Sequence, residues 1–219
     1  MSVTAPTILF DIDGTLLFLR GVGGRAMDLA IREAWGLENA LQGVSFAGAT
    51  DSGIARRVGD GRPREPMWES YQRHLAGMLE GAGEVLQPLP GVVALLDRLQ
   101  TCGARLGLLT GNMQGGARLK LGATGLVDYF DFGLSAFAED GFARTELAEA
   151  ARRRCGGGTL TIVGDTVADI ECARHIGARV LAVSTGPQEH AQLEQARPDR
   201  LETDLTANDA IADWLLAPH

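Results

Sequence analysis

Lysine is nearly missing from this 219-residue chain: of its 20 basic residues 19 are arginine, and Lys120 is the one lysine. With 29 glycines and abundant alanine, this reads as a general preference for arginine over lysine. Basic charge is also in deficit, the net charge being −8. A general nucleic-acid binder needs basic surface to neutralise phosphates, so that class is excluded. A small anionic ligand is not excluded, because one pocket can be locally positive. Cysteine is scarce: Cys102, Cys155 and Cys172 leave at least one thiol unpaired, and their spacings match no zinc or redox motif. No uncharged apolar run approaches the roughly 18 residues of a membrane span. No basic stretch precedes an apolar one near residue 1, so a secretion signal is not expected and a cytoplasmic location is. No internal repeat is present.

What the chain does contain is ordinary for a globular domain, with 45% hydrophobic and 22% charged residues. Thr7-Ile8-Leu9-Phe10 is a short β-branched, apolar run that predicts a buried strand ending at Asp11, and Gly14 breaks the extended pattern. From Leu16 to Pro88 only helical signals and loops follow. Met27, Ala30, Ile31 and Ala34 share a helical face that Gly36 terminates; further helices are expected over 51–58 and 67–79. After Leu89-Pro90-Gly91 the pattern changes to strands alternating with helices. Strands are expected at 104–109, 129–132, 160–163 and 178–183, with helices at 92–100, 115–121, 146–154 and 167–176 and a last one around Ile211, Trp214 and Leu215. This alternation implies a parallel, doubly wound sheet. The helical block is then an insertion between the first two strands: a core of residues 1–15 and 89–219, and a helical cap of residues 16–88.

Polar residues collect where the strands end, which in an open parallel sheet is where ligands bind. The first strand ends in Asp11-Ile12-Asp13-Gly14-Thr15, the second in Thr110-Gly111-Asn112, and the run Leu160–Val163 in Gly164-Asp165-Thr166, with Asp169 one turn on. A single strand-end aspartate is as readily a helix cap or turn residue. Several carboxylates converging on one point repel each other unless a hard cation lies between them, and magnesium suits oxygen ligands of this kind.

Phe10-Asp11-Ile12-Asp13-Gly14-Thr15-Leu16 resembles the first motif of the haloacid-dehalogenase-like hydrolases. Leu109-Thr110-Gly111-Asn112 is similar to their second motif, and Val163-Gly164-Asp165-Thr166-Val167-Ala168-Asp169 to their fourth. The resemblance spans essentially the whole chain and implies an α/β fold, a Rossmann-like doubly wound parallel sheet with an inserted α-helical cap. Leu89-Pro90-Gly91-Val92 looks like the phosphoglycolate-phosphatase and β-phosphoglucomutase branch. By this resemblance Asp11 is a nucleophile that is transiently phosphorylated, and Asp13 the acid that protonates the leaving alcohol and then activates water. Thr110, with backbone N–H groups near Gly111 and Asn112, would hold phosphoryl oxygens. Magnesium would lie on Asp11, Asp13 through its carbonyl, Asp165 and Asp169. Dehalogenases of the superfamily lack an acid two residues after the nucleophile, so Asp13 favours phosphoryl transfer.

The family's third motif supplies a lysine followed by proline; here the place reads Phe142-Ala143-Arg144-Thr145-Glu146. Arg144 stands at that position, and Lys120, about two turns into its own helix, is the rival. The resemblance extends to the cap, where Phe46-Ala47-Gly48-Ala49-Thr50-Asp51 is similar to a Gly-x-Thr-Asp specificity loop. Thr50 is therefore either a substrate contact or a helix cap. Arg25 is either a partner for a substrate carboxylate or a solvated helix residue. Residues 16–88 contain no lysine, which removes Schiff-base chemistry of the phosphonoacetaldehyde-hydrolase kind. The expected enzyme is a magnesium-dependent phosphatase of a small phosphorylated metabolite, phosphoglycolate first among candidates, with a sugar phosphomutase as the first alternative and a 2-haloacid dehalogenase or a non-catalytic relative behind it. Neither nucleic acid nor membrane is an expected partner, and a monomer or homodimer is expected.

Overall fold

A computed structural model describes residues 5–19, 21–81 and 86–218. Five parallel strands form its sheet in the order β2-β1-β3-β4-β5. They are β1 (Thr7–Phe10), β2 (Arg105–Leu108), β3 (Leu160–Gly164), β4 (Arg179–Val183) and β5 (Arg200–Glu202). Chain order reverses at β1, whose neighbours are β2 on one side and β3 on the other. This is the switch point at which an open α/β sheet leaves a crevice beyond its strand ends.

Strand alternation sorts the side chains onto two faces. Ile8, Phe10, Val163, Leu181 and Val183 share one apolar cluster with the helices α4 (Val92–Thr101), α5 (Gln114–Ala123) and α9 (Asn208–Leu216). Leu9, Ile162, Val180 and Ala182 share the other with α6 (Arg144–Cys155), α7 (Val167–His175) and α8 (His190–Gln195). Helices cover both faces, so the sheet is doubly wound as expected. Between β1 and β2 lie α1 (Val22–Trp35), α2 (Asp51–Gly59) and α3 (Glu65–Glu80). Helix α1 buries Met27, Ala30 and Ile31 and stops at Gly36, which is left-handed at φ 66° and donates its N–H to the Arg32 carbonyl. Glu33 of α1 accepts hydrogen bonds from Ser70 and Arg73 and pairs with the His74 ring of α3.

Two expectations about strands are corrected. Residues 129–132 are not a strand. A 3₁₀ turn, Val127–Tyr129, precedes the Asp131 side chain, which accepts a 2.7 Å bond from the Gly133 N–H. That turn bends the chain after one ladder bond, Asp131 N–H to the Leu106 carbonyl. Phe130 packs edge-on against Phe10. The fifth strand is Arg200–Glu202, a polar three-residue edge that its sequence does not announce.

Gly91 opens α4 at φ +82°, and a Cβ there would lie 2.1 Å from the Leu205 carbonyl oxygen. Backbone strain and overlap act together, so Gly91→Ala should destabilise the fold by roughly 2 kcal/mol or more, read from urea unfolding. The Glu33 carboxyl is held down from 4.5 to about 2 by its bonds from Ser70, His74 and Arg73. A carboxyl depressed in the folded state stabilises fully above its unfolded value and loses that contribution as pH falls through the folded one. The stability gap between wild type and Glu33→Gln should therefore be constant above about pH 5 and shrink from there toward pH 2; a gap unchanged across that range would contradict the linkage.

Candidate functional site

Strand register assembles the centre. Phe10 pairs with Leu108 on one side and Val163 on the other, so the residues following β1, β2 and β3 emerge at one level. Asp11, the first residue beyond β1, is tied to β3 by a 2.9 Å bond from its N–H to the Val163 carbonyl. Asp165 follows β3 directly, and Asp169 lies in the first turn of α7. All three are buried and offer carboxylate oxygens within 4.8 Å of one another, a spacing that one cation could hold.

The close approach depends on missing side chains. Gly14 turns at φ +90°, and a Cβ there would fall 2.4 Å from Asp165 Oδ2; one on Gly186 would fall 1.7 Å from the same oxygen. Thr15 donates a 2.9 Å hydrogen bond to Asp165 Oδ1, while the buried Oδ2 has no hydrogen-bond partner. Asp169 Oδ2 accepts from the Thr166 N–H and hydroxyl, capping α7, and its Oδ1 accepts from Arg144.

Arg144, at the start of α6, is the cation of this cluster. Its Nη2 bonds Asp169, lies 3.4 Å from Asp11 Oδ2, and donates to the Leu109 carbonyl at 3.3 Å. Burial pulls the guanidinium down, but Asp11 and Asp169 outweigh it and hold the group above its ordinary value. Burial pushes Asp11 up to about 6, with Arg144 opposing and Asp169 and Asp13 adding to the rise. Asp165 is pushed up to about 8, by burial first and then by Asp11 and Asp169. Three carboxylates against one guanidinium leave an excess of two negative charges when all are ionised. An unpartnered buried oxygen and raised carboxyls are what an oxygen-liganded divalent cation would relieve, so the donor set fits such an ion.

Across the crevice Asp13 faces a second cation. Its Oδ2 accepts from Lys120 Nζ at 2.6 Å and from Asn112 Nδ2 at 2.7 Å, and Lys120 also donates to Asn112 Oδ1 at 2.6 Å. The distance along α5 had ranked Lys120 behind Arg144; the fold instead brings both to the centre, on different aspartates. Lys120 reaches inward because Gly23 of α1 leaves room, its absent Cβ falling 3.3 Å from Nζ. Thr110 is fully buried after β2, its hydroxyl accepting from Asn112 Nδ2 at 2.8 Å. Gly111 lies beneath the inserted helical segment: its carbonyl accepts from the Asp51 N–H at 2.7 Å, and a Cβ there would meet the Ala49 carbonyl at 2.1 Å.

Of the two roles expected for Thr50, the helix cap is the one formed. Its hydroxyl accepts from the Gly53 N–H at 2.9 Å and donates to the Phe142 carbonyl at 2.7 Å, capping α2. The neighbouring Asp51, which sequence reasoning passed over, lines the main cavity and accepts from the Met113 N–H at 2.9 Å. Burial raises its carboxyl to about 6 despite Lys120 nearby. Its position in the quoted Thr-Asp pair was the available signal. Gly186, in the loop after β4, was missed as well, although it too follows a strand end. Arg25 lies on the exposed part of α1 at the cavity wall. The cavity, about 770 Å³, joins Asp11, Asp13, Thr110, Lys120, Arg144 and Asp165 to the helical segment. No helix among the described residues is long and apolar enough to cross a membrane.

The chain is similar to known proteins in sequence and in fold. It is 28% identical over 205 residues to the protein named "Probable phosphatase IndB" of Dickeya dadantii, covering 88% of this chain and 87% of that one. The crystal structure of CbbY from Rhodobacter sphaeroides in complex with phosphate superposes with a TM-score of 0.72 at 18% identity, over 92% of this chain and 95% of that chain. A hydrolase from Pseudomonas syringae gives 0.69 at 21% identity, over 97% and 100% respectively. The family model described as haloacid dehalogenase-like hydrolase matches residues 8–183, a span that contains every strand-end aspartate of the cluster, and the chain belongs to that family.

Proposed function

We propose that the chain is a magnesium-dependent phosphatase acting on phosphate monoesters through a phosphorylated Asp11. The observation that carries this reading is the pairing of two carboxylates with different surroundings across one cavity. Asp11 is buried against Arg144, while Asp13 is half-exposed and held by Lys120 and Asn112. These surroundings support Asp11 as the nucleophile and Asp13 as the proton carrier for the leaving group.

In the first half-reaction an Asp11 carboxylate oxygen attacks phosphorus, the bond from phosphorus to the ester oxygen breaks, and Asp13 gives its proton to the departing alkoxide. In the second, Asp13 takes a proton from water, whose oxygen attacks phosphorus; the acyl-phosphate bond breaks, releasing inorganic phosphate and Asp11. Thr110 and the backbone N–H groups of the 111–112 turn orient the phosphoryl oxygens. Asp11, Asp165 and the main-chain carbonyl of Asp13 would hold magnesium, which supplies charge screening between carboxylate and phosphate. Asp169 has both oxygens engaged by Thr166 and Arg144 and acts by holding Arg144 in place. Residues 16–88 serve as the cap, closing over the cavity through the Asp51–Gly111 and Asp51–Met113 bonds and keeping water from the acyl-phosphate.

Wild-type protein with magnesium should hydrolyse 4-nitrophenyl phosphate without a bisphosphorylated primer, and EDTA should abolish the activity. Asp11→Asn should lower kcat by at least about 10⁴-fold; unchanged turnover would remove the proposed nucleophile. Arg144→Met should lower kcat by about 100-fold and Arg144→Lys by less, with circular dichroism reporting whether each variant folds. Equal loss in both folded variants would mean that charge at this position is not what matters.

A further inference from the structure

The wall of the cavity away from the aspartates has a character of its own. It is formed by Phe18, Leu29, Leu41, Phe46, Ile54 and Met78. Among the described residues three large hydrophobic side chains are exposed, and two of them, Phe18 at 55% and Phe46 at 41%, line this cavity. A single exposed ring is unremarkable, but two facing one concave surface that ends at a reactive centre point to a ligand that covers them. Phe46 is also fitted to its place, its ring packing 3.5 Å from where a Gly24 Cβ would stand.

Among the described residues, the polar side chains on the helical side of the cavity are Arg25, Asp28, Asp51 and Tyr71. Asp28 is paired with Arg32 at 3.4 Å, and Arg25 lies one helical turn before Asp28. Asp51 already accepts from the Met113 N–H, and Tyr71 is buried beside Lys120 at the inner end. A sugar phosphate would set several hydroxyls against the apolar part of this wall, and each hydroxyl turned from water without a partner weakens binding. A two-carbon phosphate acid would leave most of the 770 Å³ filled by water against apolar walls.

We propose that the substrate is a phosphate monoester of an apolar alcohol, aryl or alkyl and well beyond two carbons, whose hydrocarbon part is bound between Phe18, Phe46 and the apolar faces of α1, α2 and α3. The proposal rests on the phosphatase reading above and narrows its substrate class. The phosphate occupies the aspartate end, and desolvation of the hydrocarbon supplies the selectivity.

The test is a series of n-alkyl phosphates from methyl to octyl, with 1-naphthyl phosphate, phosphoglycolate and glycerol 3-phosphate, assayed by phosphate release with magnesium. The specificity constant should rise by about three- to fourfold per added methylene until the cavity is filled, and Phe46→Ser should flatten that slope. A flat or falling series, with Asp11-dependent hydrolysis of phosphoglycolate or glycerol 3-phosphate preferred, would overturn the apolar substrate and leave the phosphatase reading standing. Absence of Asp11-dependent turnover for every ester would overturn both. Calorimetric titration of the Asp11→Asn protein with octylphosphonate and methylphosphonate gives an arm without turnover: tighter binding of the octyl compound supports the proposal, and equal affinity sinks it.

Discussion

Three carboxylates brought together out of water are mutually repulsive, and the arrangement of this protein follows from how that repulsion is contained. Asp11, Asp165 and Asp169 meet because β1 and β3 are neighbouring parallel strands in register, so their ends cannot diverge. Arg144 supplies one compensating charge from the start of α6. The remaining excess of negative charge raises Asp11 and Asp165, with burial as the larger cause. Glycine is required around the cluster for a steric reason, since a Cβ at Gly14, Gly164 or Gly186 would overlap an aspartate. Such a centre suits a positive charge held among its carboxylates.

The two cations divide the work. Arg144 directs one guanidinium nitrogen, Nη2, at Asp169, Asp11 and the Leu109 carbonyl together. Lys120 places a compact nitrogen between Asp13 and Asn112, in the room that Gly23 of α1 leaves.

Much of this could be read from the residues. The end of the first strand followed from a threonine and three apolar residues stopped by an aspartate, and the insertion followed from a long helical stretch between the first two strand signals. The helix termini at Gly36 and Gly91 were legible because left-handed positions favour glycine. The false strand at 129–132 and the missed one at 200–202 share one cause: a short segment's pairing is set by its neighbours more than by its composition. Asp131 turns the first away from β2, whereas β4 recruits the second although only Leu201 within it is apolar.

Spacing along the chain determined which residues were candidates for the centre, because strand ends, turn glycines and helix starts are local features. It did not determine which of them touch. That Lys120 meets Asp13 across 107 positions, that Thr50 caps a helix while Asp51 faces the cavity, and that Phe18 and Phe46 share an apolar wall all depend on how α1–α3 rest upon the sheet. Those distances are decided by packing between segments remote in sequence, which no local pattern encodes.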